Sequence, residues 1–232
     1  MVGRDDDLAL LKGLMEAGRF PAKSAVLSAR GAATVALSLM CGVPKQGLVA
    51  LRRAQWRPRG RDLVAMDPEG HYGGLRDSKA RVVPLLGTSK AVVERYLALS
   101  GPGGPETALL QAETGGPCVA NAVDLAFERA MARAGRTDLT LGRMRTLFVA
   151  MVEEADDRGD GTAEYLLGEN RGARAPHGHT LADPPSEEAM RALLERAFPF
   201  HKPWRLLTHA GGGRGPKLGG TSARAGRAGG PA

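Results

Sequence analysis

The 232 residues are 43% hydrophobic and 25% charged, a composition that fits one globular domain of about 200 residues with appendages and excludes a fibrous or wholly disordered chain. Aromatic residues are only 4%, so the core has to be built from Leu, Val, Ala and Met, while many of the 32 glycines and 15 prolines belong to turns and tails. The longest nearly apolar run, Ala32 to Cys41, is half of what a bilayer span needs, and the opening MVGRDDDL lacks the basic and apolar regions of a signal peptide. Cys41 and Cys118 have neither a second pair nor a metal spacing. The expectation is a cytoplasmic protein with reduced thiols, no membrane partner, no metal and no cofactor.

The net charge of +7 is uneven. Residues 210–232 hold Arg214, Lys217, Arg224 and Arg227 with no acid and no apolar periodicity, which reads as a flexible basic tail, either simply solvated or in loose contact with a polyanion. A second concentration, Lys45, Arg52, Arg53, Arg57, Arg59 and Arg61, lies in a stretch without Asp or Glu. A polyanionic partner is the natural inference.

In chain order, Asp5 to Ala17 has a helical pattern with aspartates at its start, where they suit the helix dipole. Lys23 to Met40 predicts a helix whose second half is apolar nearly all round and therefore central. Lys45 to Arg53 predicts a further helical turn or two, leucines inward and arginines outward. Leu63 to Met66, His71 to Leu75 and Arg81 to Leu85, separated by turn residues, read as a small three-stranded meander. Helices resume at Thr88, stop at the breaker Gly101 to Pro105, and return from Val123 to a cap at Gly135. Met144, Leu147, Phe148, Met151, Val152 and Ala155 form one helical stripe with Arg145 at its edge. Thr162 to Leu167 closes at Gly168, and Ser186 opens a last amphipathic helix reaching Phe198. This gives a mainly α fold with a small antiparallel β meander (α+β). The expected parts are residues 1–22 as an N-terminal helix, 23–205 as the main domain and 206–232 as the tail.

Four patches, in order, carry a resemblance: CGVPKQGLVALRRAQW, DSKARVVPL, LTLGRMRTLFVAM and AEYLLGEN. Together they resemble the catalytic domain of the tyrosine recombinases, the phage integrase family, over about residues 25–200. That family uses a tyrosine to attack a DNA phosphodiester, with two arginines, a lysine and histidines neutralising the charge that develops. Position by position, the first arginine falls on Pro44 with Lys45 as the nearest cation, its companion glutamate on Gly47, and the two histidines on Gly142 and Glu169. The lysine falls at or near Arg76 or Lys79, and the second arginine is retained as Arg145. The expected nucleophile region, RAPHGHT, offers His177 and His179 but no tyrosine; Tyr72, Tyr96 and Tyr165 lie elsewhere.

The resemblance thus implies a degenerate relative, a non-cleaving protein of recombination or integration type whose partner is double-stranded DNA, nucleoid-associated when bound. Candidate DNA contacts are Arg145, Arg143, Lys79, Arg76, Arg81, Lys45, Arg52 and Arg53. Each has a plainer reading: Arg145 as a surface arginine beside a core helix, and Lys79 and Arg81 as solvated edge protection. His177 and His179 have the spacing of a metal pair without an evident third ligand, and the acids Glu153, Glu154, Asp156 and Asp157 read as a solvated helix end. FPFHKPW, residues 198–204, packs the last helix down or docks it on a second copy or another recombinase. An active divergent recombinase and a protein-interaction module on the same fold are the alternatives.

Overall fold

The computed structural model describes residues 6, 7, 10, 11, 24–66, 81–133, 135–168 and 184–199. Helix α1 (Ala25–Met40) starts where the Ser24 hydroxyl accepts the Leu27 N–H at 3.3 Å. It ends in a left-handed Gly42 (φ +64°), with the Val43 N–H reaching back to the Leu37 carbonyl at 3.0 Å. Every residue from Ala32 to Met40 is buried, as an all-round apolar pattern requires. This helix forms the centre of the fold, packed most extensively on α3 (Gly87–Ser100) and then on α5 (Leu141–Ala155).

Helix α2 (Lys45–Ala50) is shorter than its sequence pattern predicts. Beyond Ala50 the backbone becomes extended because the loop before α4 competes for its hydrogen bonds. Leu109 N–H donates to the Leu51 carbonyl at 2.7 Å, and Arg53 N–H donates to the Thr107 carbonyl at 2.9 Å. Helices α4 (Ala120–Arg133), α6 (Thr162–Leu167) and α7 (Glu187–Ala197) lie where the spacing placed them. Gly135 (φ +76°) and Gly168 (φ +72°) supply the left-handed turns that follow α4 and α6. Phe198, just past α7, is fully buried and stacks on Phe148 of α5 at a centroid distance of 6.1 Å.

The sheet corrects the three-stranded meander. The described residues hold two antiparallel strands, β1 (Leu63–Met66) and β2 (Arg81–Pro84), in the register Leu63 to Pro84 through Met66 to Arg81. The predicted first and third strands pair directly with each other, and His71 to Leu75, the predicted middle strand, lies outside the described residues. A further lane of pairing comes from upstream, as a single bridge between Trp56 and Val64.

The predicted N-terminal helix is seen as helical backbone at Asp6, Asp7, Leu10 and Leu11. Leu11 is fully buried in the common core, which ties this piece to the main body. Residues 206–232 lie outside the described residues. No described helix is long and apolar enough to cross a membrane.

Candidate nucleic-acid interface

The four patches behind the resemblance meet at one place. Arg145, in the first turns of α5, donates from Nη1 to the Gly42 carbonyl and from Nη2 to the Leu167 carbonyl at 2.8 Å. Arg81, at the start of β2 and 5% exposed, donates to the same Gly42 carbonyl at 3.4 Å. Val82 N–H donates to the Tyr165 hydroxyl at 3.1 Å. One residue from each patch is thereby joined to another across gaps of up to 103 positions.

Two glycines make this approach possible. A Cβ on Gly42 would stand 2.3 Å from the Phe148 ring, and one on Gly168 would stand 1.9 Å from Arg81 Nη1. Both also have φ values that favour glycine. The Leu-Leu-Gly run of the fourth patch marks Gly168 in the sequence, but only the fold shows what the missing side chains make room for.

Around this cluster the positions matched to catalytic groups are chemically bare. Pro44 precedes α2, Gly47 is buried within it, and Gly142 is exposed in the first turn of α5, where an added Cβ would meet only Thr140 Oγ1, at 3.7 Å. Glu169, His177, His179 and Tyr72 lie outside the described residues, as do Arg76 and Lys79. The Tyr96 hydroxyl is buried and accepts the Gln111 N–H at 2.9 Å; burial pushes its pKa up and keeps it a phenol. Tyr165 is likewise engaged through its hydroxyl. Both hydroxyls accept a backbone N–H.

The basic stretch from Lys45 to Arg61 has a different environment from the one its acid-free sequence suggests. Lys45 pairs with Asp124 of α4 at 2.6 Å, and Arg61 with Glu187 of α7 at 2.6 Å. Arg57 pairs with Asp62 at 3.0 Å and Glu94 of α3 at 2.8 Å. Arg53 donates to the Gly101 carbonyl at 2.9 Å and to Ser100 Oγ at 3.2 Å, and half-buried Arg52 has its N–H bound to Gln55 Oε1 at 2.7 Å. Arg59 differs: it is exposed, and it has no hydrogen bond or ion pair to a described residue. Burial alone would raise the Asp62 carboxyl, but the Lys90 hydrogen bond and the charges of Lys90 and Arg57 outweigh it and hold the pKa low. Arg61 and then Arg191 do the same for Glu187.

Arg143 reaches away from Arg145, since two helical positions place them on opposite edges of α5's exposed face. Its guanidinium lies 3.3 Å from the buried carboxylate of Asp7, which also holds Arg136. Asp7 was expected to act on its own helix dipole; its closest partners are instead these two arginines. Among the described residues no group of three or more His, Cys, Asp or Glu is placed to hold a metal. Of the acidic cluster, Asp156 accepts two backbone N–H groups of the following turn and Asp157 pairs with Arg196 at 2.9 Å.

No protein-family profile and no curated protein sequence matches the chain. Among solved structures the fold is similar to that of the integrase from mycobacterium phage Brujita, with a TM-score of 0.50 at 18% identity. The similarity covers 74% of this chain and 53% of that one, so the chain spans about half the integrase's length. The fold is integrase-like: mainly helical, with a small two-stranded antiparallel sheet.

Proposed function

We propose that this protein binds double-stranded DNA without cleaving it, as a tyrosine recombinase-like domain that has lost its catalytic set. One observation carries the reading: the four patches that resemble the recombinases converge on a single hydrogen-bonded cluster in an integrase-like fold. In this reading Arg145 braces the domain, holding α1, α5 and α6 in register through two carbonyls, and exposed cations outside the cluster meet phosphates. Cleavage fails because Pro44, Gly47 and Gly142 supply neither the charge nor the proton transfer that phosphodiester attack requires.

The internal pairing of Lys45, Arg57 and Arg61 favours a second reading, a protein-interaction module on the same fold, because paired cations contribute less to a surface field. A titration of duplex DNA at several salt concentrations separates the two. Neutralising about six phosphates gives a slope near −5 in log K against log salt. No binding at about 50 mM salt removes the DNA reading. A nicked suicide duplex tests cleavage: no covalent adduct is expected on a denaturing gel, and an adduct mapped to a tyrosine makes the protein an active recombinase.

A further inference from the structure

Among the described residues, the turn Arg57-Pro58-Arg59-Gly60-Arg61 has the most unusual backbone. Arg57 (φ +49°) and Arg59 (φ +53°) are the only described non-glycine residues in the left-handed region. A side chain persists there only when its surroundings force the conformation or its chemistry is needed. For Arg57 the surroundings suffice: its N–H donates to the Leu63 carbonyl at 2.9 Å, and its guanidinium is clamped by Asp62 and Glu94. Nothing comparable holds Arg59. Its conformation is one that glycine adopts without strain, and an arginine stands there facing solvent.

The turn around it is rigid. Gly60 N–H donates to the Arg57 carbonyl at 3.0 Å, Arg61 N–H donates to the Pro58 carbonyl at 3.2 Å, and Pro58 restricts its own φ. Gly60 leaves the tip bare, since a Cβ there would meet nothing within 4 Å. Arg61 flanks the other side, 63% exposed, and its surface ion pair with Glu187 is of a kind that yields to a stronger anion. An exposed arginine at 59, a second at 61 and a bare glycine between them suit entry into a DNA minor groove about 6 Å wide.

Resting on the DNA-binding reading, we infer that Arg59 is a minor-groove probe that selects A·T-rich duplex, whose narrow groove concentrates negative potential and draws in arginine. The tip stands at the Leu63 end of the paired strands, and Arg81 at the Met66 end, about 10 Å away along three residue steps of strand.

The test compares the full chain with Arg59→Gly and Arg59→Lys on duplexes of equal length, one A·T-rich and one G·C-rich, with melting temperatures measured beside the affinities. The wild type is expected to prefer the A·T-rich duplex severalfold. Arg59→Gly should erase that ratio while melting at the same temperature or higher, because it relieves the backbone. Arg59→Lys, which keeps the charge and loses the flat fork, should bind both duplexes and also lose the ratio. Netropsin, which fills A·T minor grooves, should compete with the wild type. A wild type that binds both duplexes equally, or a ratio that survives Arg59→Gly, overturns the minor-groove role and leaves the DNA-binding reading standing. No binding to either duplex overturns both.

Discussion

Two regions of this molecule are rich in arginine, and the structure uses them in opposite ways. At the junction of Gly42, Arg81, Arg145 and Leu167 the guanidiniums point inward and bind carbonyl oxygens, so their work is to hold distant segments together. Along Lys45 to Arg61, Lys45, Arg57 and Arg61 stay near the surface and meet carboxylates from α4, α3 and α7. An arginine satisfied by carbonyls has traded hydration for fixed geometry, and removing it strands buried acceptors. An arginine paired at the surface keeps most of its hydration and is cheap to lose. Local charge counts treat both alike.

The contrast breaks most visibly at Gly42. Gly42→Ala drives a methyl group into the Phe148 ring at a left-handed position, and should cost about 3 kcal/mol in urea unfolding. A loss under about 1 kcal/mol would mean that the ring slides aside and the junction is loosely packed. Arg145→Ala comes next. It deprives the Gly42 and Leu167 carbonyls of a charged donor, so about 2 kcal/mol of stability should go, against almost none for an arginine directed to solvent.

Beside the junction, Cys41 gives an alkaline signature. Burial pushes its thiol up to about 12, with a Ser89 hydrogen bond pulling weakly the other way. The folded pKa lies above the unfolded one, so this contribution is complete below about pH 9 and drains away as pH rises toward 12. At pH 10 the protein should have lost about 1 kcal/mol that Cys41→Ala does not lose, measured by denaturant titration at both pH values. Ellman's reagent should find neither cysteine in the native protein, since both are buried.

The surface region gives the smallest effects. A double-mutant cycle on Lys45 and Asp124 should return about 0.5 kcal/mol, and a coupling several times larger would show that this pair organises the region. The acids here titrate the other way from Cys41. Asp62 and Glu187 have folded pKa values below their ordinary 3.8 and 4.5, so their stabilisation is present above those values and lost as pH falls through the depressed ones. Unfolding midpoints should hold steady from pH 7 to 5 and decline below about 4. Asp62→Asn should flatten part of that decline.

Helix α5, the cap at Gly135 and the Ser186 start of α7 follow from the sequence alone, because 3.6-residue periodicity and capping are properties of a few neighbouring residues. The order of the four patches is likewise a property of the sequence. The tertiary structure decided what local pattern cannot carry. It ended α2 at Ala50, where the 105–109 loop takes the backbone hydrogen bonds, and it paired the outer strands of the supposed meander with each other. It also turned most of the basic stretch into internal ion pairs and carbonyl contacts. Asp124 and Glu187 lie 79 and 126 residues from the cations they meet, and no window of sequence shows a charge that only folding brings near.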